Sequence, residues 1–392
     1  MSTSRVIIVG AGQGGLQAAV SLRQNGFDGS ITLIGAEPRL PYQRPPLSKA
    51  YLQEGNAEAL MLRPASFFEA KQVSYLSGTR VLEIDRRAGE VRLDGAAGDR
   101  RLGYDHLILA TGARNRRPPI DGIEHACDLR TLEHAVRLRE ALAVPRRIAV
   151  IGGGFIGLEF AAVARKLGHE VSVIEAATRL MSRAVSSAMS LHFEGWHRAR
   201  GVSLHLGRTA AGIDPDGVTL DDGTRVGADF VLLATGVRPN SELAEAAGLL
   251  THNGVTVDAQ LCSSDPAISA LGDCASFPDP RSGRTVRLES IQAATDHARL
   301  IATRIAKGSC PDYAALPWFW SDQGDQKLQI AGYAGLEATE KVVSDGLVAR
   351  FDAAGLVAVE SVNNVRVHMK ARRLLGPDGS ADLAALQEAI AA

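Results

Sequence analysis

Cysteine is scarce in this chain: Cys127, Cys262, Cys274 and Cys310 are scattered through 392 residues, with no two at redox-pair or zinc-finger spacing. Buried reduced thiols are the expectation, and an internal dithiol relay, which needs two close thiols, is excluded. The ten histidines include no His-Glu-x-x-His pattern, and no Gly-x-Ser-x-Gly elbow is present. Metal-assisted hydrolysis and acyl transfer therefore lack support, and no metal site is expected. No uninterrupted apolar run reaches the roughly 18 residues that span a bilayer. Excess charge is missing too: the formal net value is -1, which argues against a general affinity for nucleic acid or membrane. Met1 to Arg5 runs straight into an apolar β pattern without a cationic, cleavable leader. A cytoplasmic protein is expected.

Glycine is abundant, and its placement is the main signal. A chain of 392 residues is long enough for two or three domains. Within it a glycine-rich pattern occurs twice. The first copy reads Val6-Ile7-Ile8-Val9-Gly10-Ala11-Gly12-Gln13-Gly14-Gly15, the second Ile148-Ala149-Val150-Ile151-Gly152-Gly153-Gly154-Phe155-Ile156-Gly157. Each follows an apolar β-branched run and opens a helix-forming stretch, as a βαβ dinucleotide site requires. The glycines let backbone approach a pyrophosphate, and the helix N-terminus offers it unpaired N–H groups and a positive dipole end. One copy is weak evidence. Two imply two dinucleotides, and hence redox chemistry between them.

The remaining order of parts agrees. A helix over 14–25 leads to a strand at Ser30-Ile31-Thr32-Leu33-Ile34. Gly35 to Lys49 holds Pro38, Pro41, Pro45 and Pro46, which predicts an ordered loop. An alternating β pattern from about Val73 to Leu102 precedes Leu107-Ile108-Leu109-Ala110-Thr111-Gly112, which returns as Val231-Leu232-Leu233-Ala234-Thr235-Gly236. Each is a buried strand ending in small residues, where backbone can lie close to a nucleotide. Ile268-Ser269-Ala270-Leu271-Gly272-Asp273 closes another apolar run on Gly-Asp.

Fingerprint, small-residue strand end, fingerprint, small-residue strand end and Gly-Asp together resemble the two-dinucleotide flavoproteins related to glutathione reductase. That resemblance implies an α/β fold of two Rossmann-like domains, for FAD and NAD, plus a C-terminal α+β domain. The FAD domain is expected at 1–112 and 242–316, the NAD domain at 113–241, and the third domain at 317–392.

The acid ending the second strand of each βαβ unit accepts from adenosine ribose hydroxyls. These are Glu37 for FAD and Glu175 for NAD. A carboxylate about 4 Å from a 2′-phosphate repels it by about 4 kcal/mol at an effective dielectric of 20, roughly three decades in affinity. NADH is therefore expected over NADPH, with Arg179 and Arg183 near enough to soften the preference. With Gly10, Gly12 and Gly15, the resemblance implies FAD contacts from Val81, Ala110, Thr111, Gly112, Arg130, Asp273 on the ribityl chain, and Ile291, which leads into a helix expected from about Gln292. For NAD it implies Gly152, Gly154, Ile156, Gly157, Glu159, Glu175, Arg183, Gly236 and Glu289.

Arg44-Pro45-Pro46-Leu47-Ser48-Lys49 and Pro317-Trp318-Phe319-Trp320-Ser321-Asp322-Gln323 narrow this further. They resemble the reductases serving [2Fe-2S] ferredoxins in bacterial cytochrome P450 and ring-hydroxylating dioxygenase systems. Disulfide reductases and peroxidases of the fold carry cysteine along this loop, whereas Pro41 to Lys49 has none. The resemblance implies catalytic roles for Lys49 near flavin N5, Glu159 as its partner, and Trp320 at the flavin edge, with Arg44 and Pro45 also touching FAD. It implies an NADH:ferredoxin oxidoreductase in which NADH gives hydride to FAD and electrons leave singly. A basic docking face is expected among Arg44, Arg366, Lys370, Arg372 and Arg373, with Arg366 and Lys370 four apart and on one face if the stretch is helical, in a monomer or homodimer. Rubredoxin reductase and NADH oxidase of the same fold stay open. So does an apoptosis-inducing-factor-like redox switch, disfavoured by the compact ending after Leu386.

Overall fold

A computed structural model describes residues 4–94, 100–353, 355–376, 384 and 386–388. The part of the leader reading that falls on residues 1–3, residues 95–99 of the alternating pattern, and the ending after residue 388 lie outside the described residues. The chain divides into two compact units. One comprises Met1–Gln43, Glu58–Arg114 and Arg238–Ala315; the other comprises Arg44–Ala57, Asn115–Val237 and Leu316–Ala392.

The first unit is built on a parallel sheet ordered Ile268–Ala270, His106–Leu109, Arg5–Val9, Ser30–Gly35, Val73–Ser77. Its central strands are almost continuously apolar because both faces are covered. Helices Gln13–Gln24 and Ile291–Lys307 pack against each other, and an added Cβ at Gly14 would meet Leu271 and Ala294. The alternating stretch resolves into an antiparallel sheet of Arg80–Asp85, Glu90–Asp94 and Arg100–Gly103.

The second unit repeats the plan. Its parallel sheet is ordered Val202–Leu206, Glu170–Glu175, Arg147–Ile151, Phe230–Leu233, Ala126–Asp128. A small antiparallel sheet, Ala210–Asp214, Gly217–Leu220 and Arg225–Gly227, again precedes the strand that ends in small residues. An antiparallel five-stranded sheet follows, ordered Trp318–Gln323, Gln326–Gly332, Gly355–Val362, Leu347–Asp352, Thr339–Ser344. Helix Val365–Leu374 covers it, capped by Asn364, whose side chain accepts the Val367 N–H at 3.0 Å.

Two expectations are adjusted. The loop expected from Gly35 to Lys49 contains a 3-10 turn at Pro45–Ser48, since proline is preorganised for the first turn of a helix. The late helix begins at Ile291 rather than Gln292, because Ser290 is its cap and accepts the Ala293 N–H at 3.0 Å.

Candidate functional site

The two glycine loops share one geometry. Gly10 has φ +111 and Gly152 φ +116, a region that L side chains rarely enter. A Cβ at Gly10 would stand 2.1 Å from the Ala110 carbonyl oxygen, and one at Gly152 2.3 Å from that of Ala234. A Cβ at Gly15 would strike the Gly10 carbonyl oxygen at 1.9 Å, and one at Gly157 that of Gly152 at 2.2 Å. These four glycines lock strand, turn and helix together. Gly12 and Gly154 differ: an added Cβ there meets no protein atom within 4 Å. Both are helix N-caps without a side-chain cap, so the first N–H groups face a cradle that only a glycine leaves open. That cradle fits a dinucleotide pyrophosphate.

In the first unit Glu37 lies just past its strand, and Tyr42 donates its hydroxyl to the Glu37 carboxylate at 2.7 Å. Thr111 and Gly112 are fixed by Asn240, a residue that sequence reasoning missed. The Thr111 hydroxyl donates to the Asn240 carbonyl at 2.6 Å, the Asn240 side-chain amide to the Thr111 carbonyl at 2.9 Å, and the Asn240 N–H to the Gly112 carbonyl at 2.9 Å. Asp273 begins a 3-10 turn with Gly272, whose N–H donates to His297 Nδ1 at 3.2 Å. The Val81 side chain belongs to the apolar core, paired in register with Leu93. Glu289 pairs with Arg287 at 2.7 Å.

In the second unit the Glu175 carboxylate accepts the Gly153 N–H at 2.6 Å and the Ala177 N–H at 2.8 Å. An ionised carboxylate has about four acceptor positions, so capacity for a ribose hydroxyl remains. Arg179 is bonded inward, to the Val185 carbonyl, the Ser182 carbonyl and the Ser190 hydroxyl. Arg183 instead lies beside Gly236, where a Cβ would come 3.2 Å from its guanidinium. Ile156 is exposed on the first turn of helix Phe155–Lys166.

The same helix carries Glu159, 5% exposed. Lys49 Nζ meets its Oε1 at 3.0 Å and Asp322 Oδ2 at 3.2 Å. Ser321 donates to Glu159 Oε1 at 2.7 Å and Ser48 to Oε2 at 2.7 Å. Burial pushes the Glu159 carboxyl up, and the Lys49 charge with the two hydroxyls pulls it back. The Lys49–Glu159 pair expected from sequence is therefore present. Ser48, Ser321 and Asp322, its other partners, were missed.

Trp320 stacks on Trp318, with centroids 5.6 Å apart, and the Arg372 guanidinium sits 4.4 Å from a Trp318 ring centroid. Arg44 donates to the Arg130 carbonyl at 2.7 Å, with Pro45 next in the 3-10 turn. Arg366, Lys370, Arg372 and Arg373 all lie on helix Val365–Leu374. No metal-holding group of histidine, cysteine and acidic side chains occurs among the described residues, and no described helix is long and apolar enough to cross a membrane.

Residues 4–298 match the model of the pyridine nucleotide-disulphide oxidoreductases, and residues 318–391 match the reductase C-terminal model. The chain belongs to the pyridine nucleotide-disulphide oxidoreductase family. It is 46% identical to rhodocoxin reductase of Rhodococcus erythropolis, across 95% of this chain and 90% of that protein. Its fold superposes on the ferredoxin reductase for the CYP199A2 system of Rhodopseudomonas palustris with a TM-score of 0.92 at 43% identity, covering 98% and 99% of the two chains. The covalent putidaredoxin reductase–putidaredoxin complex gives a TM-score of 0.91 at 35% identity, covering 100% and 99%.

The chain is thus an oxidoreductase whose cofactors are FAD and NADH. Its four cysteines are free, and burial pushes the Cys127, Cys274 and Cys310 thiols up, away from the reactive thiolate.

Proposed function

We propose that the protein is an NADH:ferredoxin reductase of a cytochrome P450 or Rieske oxygenase system, serving a [2Fe-2S] ferredoxin. The observation that carries this reading is the pairing of half-buried Lys49 with buried Glu159, the lysine closing the loop Pro41 to Lys49, which has no cysteine. FAD, when bound, accepts two electrons from NADH and releases them one at a time.

The protein's own groups bind and orient. In the first unit, backbone at Gly10, Gly12 and Gly15 receives the FAD pyrophosphate, Glu37 its ribose, and Asp273 its ribityl chain. Ala110, Thr111 and Gly112 allow close approach along the small strand end, and the start of helix Ile291–Lys307 supplies N–H groups and a positive dipole end. Val81 contributes through backbone alone, since its side chain is in the core.

In the second unit, Gly152, Gly154, Ile156 and Gly157 receive the NADH pyrophosphate and Glu175 its ribose. When FAD is bound, Lys49, held by Glu159, would supply the cationic donor that stabilises added electron density on the ring. Arg44, Pro45, Arg130 and Trp320 contribute to the same cofactor. No general acid or base is required; proximity and orientation do the work. Arg366, Lys370, Arg372, Arg373 and Arg44 are the candidates for steering an acidic ferredoxin.

The test is anaerobic stopped-flow reduction of the purified holoenzyme by NADH and by NADPH, followed by mixing with a [2Fe-2S] ferredoxin. Fast bleaching by NADH and fast reoxidation by the ferredoxin are expected. Fast bleaching with sluggish reoxidation by ferredoxins, but fast reoxidation by oxygen or rubredoxin, would replace this reading with an oxidase or a rubredoxin reductase.

A further inference from the structure

We infer that Ser321 and Gln323 are positioning residues for the Lys49–Glu159 pair, acting through a one-directional hydrogen-bond chain that begins at His197. The inference rests on the reading that this pair serves the flavin.

Strand alternation puts Phe319, Ser321 and Gln323 on one face of strand Trp318–Gln323 and Trp318, Trp320 and Asp322 on the other. The first face meets helix Phe155–Lys166: the Phe319 and Phe155 rings lie 4.6 Å apart, and Ser321 reaches Glu159. Ser321, Gln323 and His197 are fully buried, each 0% exposed. None of them belongs to a recognised dinucleotide motif.

Donor and acceptor roles leave one polarity. Gln323 Nε2 donates to Ser321 Oγ and to Met181 Sδ, both at 3.4 Å. Its Oε1 therefore faces His197 Nε2 at 2.9 Å, so that nitrogen must carry the proton. Burial holds the His197 imidazole neutral, with its pKa pushed down to about 4. Ser321 receives from Gln323 and passes its own proton outward to Glu159 Oε1 at 2.7 Å. Every donor in the series points toward the carboxylate. Such a chain polarises cooperatively and stabilises the ionised acceptor at its end.

The opposing influence is desolvation, which favours protonated Glu159. The charged groups facing this carboxyl are Lys49 directly and, beyond Lys49, Asp322; Ser48 and Ser321 are neutral donors. If Glu159 took up a proton, the ammonium would keep only the Asp322 carboxylate, on the opposite face of the strand. Ser321 and Gln323 thus keep Lys49 on Glu159 by keeping Glu159 charged.

The experiment is a pH titration of the Glu159 carboxyl by infrared spectroscopy on carbon-13-glutamate-labelled holoenzyme, with Glu159→Gln identifying the band. Ser321→Ala is expected to raise the midpoint by about one pH unit or more, the usual scale for losing a hydrogen bond to a charged group. Ser321→Thr should restore the wild-type midpoint, and Gln323→Leu should shift it in the same direction by less. An unchanged midpoint in Ser321→Ala overturns the inference. Lys49→Met, followed separately by NADH reduction of the flavin, tests the underlying reading. A normal rate there removes the pair from the flavin while leaving the Ser321 result to stand or fall alone.

Discussion

Glu175 ties its own strand end to the phosphate loop of the neighbouring strand: its carboxylate accepts the Gly153 N–H at 2.6 Å. The acid proposed to read the ribose is therefore also bonded to the loop proposed to hold the pyrophosphate. Glu175→Ala should weaken NADH use and reduce the NADH/NADPH ratio of kcat/KM at least tenfold, within the roughly three decades that a nearby carboxylate supplies. An unchanged ratio, measured with both coenzymes, would show that another residue reads the 2′ position.

Lys49→Met leaves Glu159 buried without its cation, a change that typically costs about 3–5 kcal/mol. It should lower the unfolding midpoint and slow NADH reduction of the flavin more than it reduces FAD content. Adding Glu159→Gln should recover much of the stability but not the rate. Recovery of both would make the pair purely structural.

The glycines of each loop separate into two classes, and substitution should separate them too. Gly10→Ala and Gly152→Ala collide with backbone and should not yield folded protein. Gly12→Ala should fold yet purify largely without flavin, whereas Gly154→Ala should keep its flavin and raise the NADH dissociation constant tenfold or more. Absorbance of the bound flavin and NADH titration decide this; full flavin in Gly12→Ala would place the pyrophosphate elsewhere.

His197 and His297 are buried and held neutral, with pKa values pushed down to about 4 and about 3 by desolvation. Below about pH 6.5, the ordinary histidine value, the unfolded chain binds these protons and the folded chain does not. Stability should therefore fall with pH from about 6.5 toward 4, by about 1.4 kcal/mol per pH unit per histidine at the steepest. Glu159 and Glu360, both pushed up by burial, act in the opposite sense above the ordinary carboxylate range. Urea unfolding should give the lower midpoint at pH 5 than at pH 7; an equal or higher midpoint at pH 5 would show that the glutamates outweigh the histidines.

Arg366→Glu combined with Arg373→Glu should raise the KM for ferredoxin several-fold at low salt, with the difference shrinking as ionic strength rises. A salt-independent KM would move the docking face away from helix Val365–Leu374.

Much of the fold was legible because the deciding constraint is steric and local. Gly10 and Gly152 must be glycine, and Leu109-Ala110-Thr111 must end small, for reasons that leave a fixed spacing in the chain. Glu37 and Glu175 follow from strand length alone. The surroundings of Glu159 were not legible. Ser48, His197 and the pair Ser321 and Gln323 lie far apart in sequence, and only the tertiary fold brings them together. The one local sign was the alternation in Trp318-Phe319-Trp320-Ser321-Asp322-Gln323, where buried polar side chains share a face with Phe319. Asn240 left no periodic trace either, since its work is to bond the backbone of Thr111 and Gly112. Arg179 and Arg183 looked equivalent on paper; the turn before Ser186 directs Arg179 into backbone carbonyls and leaves Arg183 beside Gly236.

The matching backbone traps at Gly10 and Gly152 carry one last implication, about sorting. In the binding proposed above, each loop takes the diphosphate that both coenzymes share, so neither loop by itself distinguishes FAD from NADH. Correct loading has to be decided farther along each molecule, at the parts the two do not share. The surroundings of the two loops do differ: Tyr42 donates to Glu37 in one unit, and the Gly153 and Ala177 amides donate to Glu175 in the other.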